Sequence, residues 1–95
     1  KDVYLTLPVA PWEAALGAEL TVPTPSGLVD LRIPPNSQGG RKLRLAGRGI
    51  PARTPGDLYV VLQVVLPKAD SEGAKRAYRA FAEAARFDPR AHMGI

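Results

Sequence analysis

The sequence contains no cysteine. Disulfides, thiolate zinc sites and cysteine nucleophiles are excluded together, and a reducing compartment suits the chain. The single histidine, His92, sits near the C-terminus with no carboxylate or second histidine beside it in sequence. It therefore belongs to no metal-ligand or triad pattern. Ser26, Ser37 and Ser71 fall in turn or cap contexts, and none lies in a Gly-x-Ser-x-Gly elbow. The acidic residues are dispersed, with no pair evidently placed as general acid and base. Gly39-Gly40-Arg41-Lys42 lacks the Gly-Lys-Ser/Thr ending of a phosphate loop and precedes a strand pattern, not a helix. The chain is accordingly read as a non-enzyme, with no catalytic residue, metal or cofactor. Apolar runs fall well short of the ~18 residues that a membrane helix needs, so no span is expected.

What is present points to many short elements around one core. Ninety-five residues make one domain, which buries roughly 60–65% of the surface of its unfolded chain. Ten prolines and nine glycines are scattered between apolar runs, the pattern of short strands joined by turns. The start, Lys1-Asp2-Val3, opens directly on a strand pattern, so the chain reads as a piece excised from a longer one. Net charge is +4. Its densest basic run is Arg41, Lys42, Arg44, Arg48 and Arg53, with no acid between them. Such a run suits either a nucleic-acid face or a solvated strand face that discourages edge pairing.

Asp2 to Pro8 alternates, with Val3, Leu5 and Leu7 on one face, and Pro8 is expected to end the strand. Pro11 to Leu16 predicts a short helix, with Pro11 at its first position, Glu13 complementing the dipole and Gly17 closing it. At under two turns it needs an anchor, and Trp12 or Leu16 is expected to supply one. Strands follow at Glu19–Val22 and Leu28–Ile33 around the turn Pro23-Thr24-Pro25-Ser26-Gly27, as a hairpin. Asn36 then suits a left-handed turn position. Ser37 to Pro51 carries Arg41-Lys42-Leu43-Arg44-Leu45, a short strand between glycine clusters. Leu58 to Leu66, apolar on both faces, predicts a central strand covered on both sides. After Pro67 the period changes to the i, i+3, i+4 series of a helix over Ser71–Arg86, capped by Asp70 or Ser71. Glu72 with Arg76, and Arg79 with Glu83, are its expected ion pairs.

Taken in order, these segments resemble the second C-terminal β-domain of the DnaJ-type co-chaperones, or J-domain proteins. The likeness rests on Asp2-Val3-Tyr4-Leu5-Thr6-Leu7-Pro8, Pro11-Trp12-Glu13-Ala14-Ala15-Leu16-Gly17 and Ile33-Pro34-Pro35. It continues through Gln38-x-Gly40, Leu43-Arg44-Leu45, Gly47, Gly49, Gly56-Asp57-Leu58-Tyr59-Val60 and Pro67. The tail Phe87-Asp88-Pro89-Arg90 is similar to that of relatives lacking a zinc-binding insertion. Asn36 stands where the family usually has glycine. No His-Pro-Asp tripeptide or Cys-x-x-Cys repeat occurs, so neither the ATPase-stimulating J-domain nor the zinc module lies in this chain.

The resemblance implies a mainly β fold: a small β-sandwich or barrel-like domain with a short helix after the first strand and a C-terminal α-helix. Residues 1–70 would form the client-binding β-body, and 71–95 the helix and dimerisation tail of the same domain. It implies binding of unfolded client polypeptides in shallow apolar grooves, partly by adding an extended segment beside a strand. Matched positions place that site at Leu5, Leu20, Val22 and Leu45. Homodimerisation would use Tyr78, Phe81, Phe87, Pro89 and Met93. A DnaK-type ATP-driven chaperone would be the partner of the full-length protein, in the cytoplasm. The alternative is a nucleic-acid-binding β-domain that uses the basic run Arg41–Arg53.

Overall fold

The computed structural model describes residues 1–94. Five strands form two sheets: β1 (Val3–Val9), β2 (Ala18–Thr24), β3 (Gly27–Ile33), β4 (Lys42–Leu45) and β5 (Leu58–Val64). Helix α1 (Pro11–Leu16) follows β1, and α2 (Glu72–Ala85) follows β5. One sheet has the order β1-β5-β4, with β1 parallel and β4 antiparallel to β5, while β2 and β3 form a separate antiparallel hairpin. The fold is therefore mainly β, with the short helix and the C-terminal helix where expected, and the sheets do not close into a barrel.

Both sheets and α1 share one core, made of Val9, Ala14, Val22, Leu31, Ile33, Leu58, Val60 and Leu62. The period-two pattern explains its membership, because alternate strand residues face the same side. The hairpin follows from a two-residue turn, Pro25-Ser26, between the paired Thr24 and Gly27. Thr21 Oγ1 donates to Asp30 Oδ1 across its solvent face at 3.0 Å.

Several expectations are corrected. Pro8 lies inside β1 and does not end it. Val3 N–H donates to the Asp57 carbonyl and Val65 N–H to the Val9 carbonyl. The odd-numbered residues of β1 thus bond to β5, and Pro8 falls at an outward position of an edge strand, where its missing N–H costs nothing. Neither Trp12 nor Leu16 anchors α1, as they are 59% and 76% exposed. The small Ala14 is buried instead, and Ser37 and Asn36 N–H groups bind the Ala14 and Ala15 carbonyls. So short a helix is held by its ends: Glu13 Oε1 also accepts from Ala10 N–H at 2.8 Å.

Strand β5 is central, but it is sealed on one face only, and Val65 and Leu66 lie beyond it, exposed. β1 ends at Val9, paired with Val64, so the chain past that point has no strand beside it. Ser71 caps α2, its Oγ accepting from Ala74 N–H at 3.1 Å. Glu72 pairs with Lys75 at 3.4 Å, not with Arg76, and Arg79 and Glu83 form no ion pair among the described residues. An exposed pair at helical spacing gains little, so neighbouring choices are nearly equivalent.

Three chain segments converge where β1 begins. Gly49 N–H donates to the Gly56 carbonyl, Ile50 N–H to the Lys1 carbonyl and Asp57 N–H to Asp2 Oδ1. A Cβ on Gly56 would lie 2.5 Å from the Lys1 carbonyl carbon, and one on Gly49 the same distance from the Lys1 oxygen. Only glycine permits so close an approach. By contrast Asn36, at φ 58°, takes the left-handed turn conformation expected of it.

The radius of gyration is 17.0 Å, against about 12 Å for a compact chain of this length. The excess comes from α2, which buries none of its residues. Tyr78 Oη donates to the Pro67 carbonyl and ties the helix to the segment that leads into it.

Candidate functional site

Leu5, Leu20 and Leu45 are half-buried and pack on the common core, on β1, β2 and β4 respectively. Leu5 lies opposite Val60, Leu20 opposite Leu31, and Leu45 opposite Leu58. Val22, 1% exposed, lies within the core itself. The three leucines thus belong to the half-buried rim of the core, on three different strands, and Val22 to its floor. Leu5 and Leu20 lie on strands with one partner each: β1 pairs with β5 alone and β2 with β3 alone, while Leu45 lies on β4 at the other edge of the three-stranded sheet. The outward backbone groups of Tyr4 and Thr6 are available on the β1 edge, up to Pro8. Pro23 stands in β2 opposite Leu28, again a residue with no N–H to offer. An extended peptide has a short, bounded stretch of edge on which to pair.

The opposite face of the three-stranded sheet carries a feature that sequence reading missed. Tyr4 and Tyr59 are paired in register, and their rings stack at 5.0 Å with an interplanar angle of 20°. Lys42 Nζ lies 5.3 Å from the Tyr4 centroid and 5.6 Å from that of Tyr59. In sequence these residues are far apart, with Tyr59 on the strand after the basic run. The antiparallel register of β4 and β5, which sets Arg44 opposite Tyr59, brings them together. Alternation of Tyr4 and Tyr59 with core residues was the only signal available.

The basic run is partly engaged within the fold. Arg44 Nη2 contacts Asp57 Oδ2 at 2.7 Å, and Gly47 N–H donates to Asp57 Oδ1 at 3.0 Å. Arg41 Nη1 donates to Ser37 Oγ at 3.3 Å. The Gly47 hydrogen bond and then Arg44 hold the Asp57 carboxyl below the usual carboxylate range, and Asp57 in turn raises Arg44. A depressed carboxyl pKa stabilises the fold above the unfolded-state value of about 4 and loses that contribution as pH falls through the folded value. In thermal melts, wild type is expected to exceed Asp57→Asn at pH 6. The gap should narrow as pH falls below about 4; a gap constant from pH 6 to 2 would contradict this.

At the other end of the molecule, Phe81, Phe87, Pro89 and Met93 are exposed, Phe87 by 78%, while Tyr78 is half-buried. No group of three His, Cys, Asp or Glu side chains converges among the described residues. His92 lies in the short 3-10 turn Ala91–Met93. Among the described residues no helix is long and apolar enough to cross a membrane.

The described residues form a two-sheet β-body with short α1 and a projecting C-terminal helix. Comparison with known proteins places it further. The family model described as the DnaJ C terminal domain matches residues 1–67. A Curved DNA-binding protein of Coxiella burnetii (strain Dugway 5J108-111) is 54% identical over 93 residues, which is 98% of this chain and 30% of that protein. Proteins of the same description from Pseudomonas syringae pv. tomato and Escherichia coli O9:H4 are 45% and 44% identical, over 95% and 99% of this chain. The chain spans 29–31% of the length of these curated relatives. It belongs to the DnaJ C-terminal-domain family, a chaperone family and not one of enzymes.

Proposed function

We propose that this domain binds unfolded polypeptide along the β1 and β2 edges and pairs with a second copy through α2 and the tail. The observation that carries the client reading is the leucine rim: Leu5, Leu20 and Leu45 are half-buried and each stands on a strand with one partner. Edge pairing is tolerant of sequence, and the rim favours apolar side chains. The exposed Phe81, Phe87 and Met93, on an amphipathic helix and tail with no buried residue among those described, support self-association. On this reading residues 1–70 hold the client and 71–95 join the copies. The full-length protein would serve a DnaK-type ATP-driven chaperone in the cytoplasm.

Titration with a chemically unfolded polypeptide, followed by amide shifts, tests the client half. Perturbations are expected around Leu5, Leu20 and Leu45, with those at Val22 transmitted from above it. Leu20→Ala should weaken binding by roughly three- to thirtyfold. Shifts confined to other regions would retire the site. A second reading, nucleic-acid binding, draws on what the relatives' shared name says of them and on Lys42 beside the tyrosine pair. Arg41 and Arg44 being engaged internally weighs against it. Binding that falls steeply between low and high salt would favour it.

A further inference from the structure

Tyr4 lies on the same edge strand as Leu5 but faces the other way, and Tyr59 stands behind it on β5. Tyr4 is 63% exposed, so its ring is covered on the Tyr59 side and open toward the unpaired edge of β1. An extended segment that pairs with this edge must place alternate side chains on both faces of the sheet, because the strand period is two. One set meets Leu5 with its β1 neighbours Val3 and Leu7, on the core side. The other set lands beside Tyr4, where directly opposed positions of neighbouring strands stand about 4.5–5.5 Å apart between Cβ atoms. A side chain there prolongs the row Tyr4, Tyr59, Arg44 that the registers of β1, β5 and β4 already define.

The chemistry of the row specifies its occupant. An aromatic ring opposite Tyr4 would form a third member of the stack. Lys42 supplies the charge term. Its ammonium reaches across β5 to lie 5.3 Å from the Tyr4 centroid and 5.6 Å from that of Tyr59, and it makes no ion pair among the described residues. Arg44, by comparison, is already neutralised by Asp57. A carboxylate in the incoming segment complements Lys42, and a lysine there would be repelled.

We infer that Tyr4, Tyr59 and Lys42 form a second, outward-facing selectivity surface, which reads an extended polypeptide carrying an aromatic side chain opposite Tyr4 with an acidic neighbour on the same face. This inference rests on the client-binding reading and adds to it: the edge is read on two faces, and the basic face takes part in the choice of client.

Fluorescein-labelled nine-residue peptides test it against the full 95-residue chain by polarisation. All keep leucine at every second position; the intervening positions are Phe and Asp, all Ala, or Phe and Lys. The Phe/Asp peptide is expected to bind about three- to tenfold tighter than the Ala peptide, from one added aromatic pair and one ion contact. The Phe/Lys peptide should fall behind Phe/Asp. Tyr4→Thr keeps a β-compatible residue at an exposed position and should abolish the Phe/Asp preference while leaving the Ala peptide unchanged. Lys42→Gln should remove only the difference between Asp and Lys. Equal affinities of all three peptides for wild type would overturn the inference while leaving the leucine rim intact. So would a Tyr4→Thr variant that loses Phe/Asp and Ala peptides alike, which would mean a damaged edge. Displacement of Phe/Asp but not Ala peptide by a single-stranded oligonucleotide would reassign the face to nucleic acid. If no peptide binds, the client reading itself fails and this inference with it.

Discussion

Replacing Gly56 or Gly49 with alanine is expected to destabilise the domain more than any other single methyl addition. At Gly56 the new Cβ would sit 2.5 to 2.7 Å from Lys1 C, Lys1 O and Asp2 N, and at Gly49 2.5 to 2.9 Å from Lys1 O, Asp57 O and Gly56 C. Every one of these atoms is backbone, and none can rotate away as a flexible side chain would. Relief requires parting the Ile50–Lys1, Gly49–Gly56 or Val3–Asp57 hydrogen bonds, at 3.0, 3.0 and 2.9 Å. Those bonds hold the start of β1 to β5 and to the loop after β4. Overpacking costs about 1–3 kcal/mol, and each lost hydrogen bond about another 1 kcal/mol. Out of a typical total of about 5–15 kcal/mol, a loss of about 3 kcal/mol should lower the melting midpoint by about 12–24 °C. Gly73→Ala is the control: its Cβ would meet only the Arg76 guanidinium at 3.8 Å, on an exposed helix. It should be neutral or stabilising by a few tenths of a kcal/mol. Melts in which Gly56→Ala and Gly73→Ala coincide would show that the convergence is loose.

The second large effect is expected in self-association. A helix with no buried residue, followed by an exposed Phe87 and Met93, leaves apolar surface that water disfavours. In a symmetric pair each aromatic is used twice, so one substitution removes two contacts. Phe81→Glu with Phe87→Glu is expected to weaken the dimer by at least a hundredfold, read as a shift toward monomer mass in sedimentation over a concentration series. Both residues are exposed, so the melting curve of the monomeric β-body should change little. A monomer at all concentrations in the wild type, or a dimer that survives both substitutions and deletion of residues 87–95, would refute the tail's role. Removing Tyr78 is less clean, because its hydroxyl also holds the segment at Pro67.

Much of this domain was legible in the sequence because its signals are local. Strand faces follow from alternation: Val29, Leu31 and Ile33 turn inward, while Asp30 and Arg32 do not. The helix after β1 is announced by Pro11, and α2 by the change of period after Pro67. Turn positions such as Asn36 show a conformational tolerance that belongs to the residue itself. The motif series likewise carries the likeness to the family that the chain belongs to.

Other properties depended on what comes to lie beside what. Pro8 within β1 is tolerable only because β1 is an edge, and strand order is a long-range property. Trp12 or Leu16 is the expected anchor of α1, yet Ala14 fills the buried position and both larger side chains face solvent. A helix of six residues can be oriented by its end bonds, independently of its largest side chain. The Val65–Leu66 end of the apolar run lost its cover because its neighbours stop earlier. The sequence by itself therefore determined the elements, their inward faces and the family. Tertiary structure alone decided which edges stay open, and that Tyr4, Lys42 and Tyr59 meet on one face. Those residues are separated by much of the chain, and only the registers of β1, β4 and β5 close that distance.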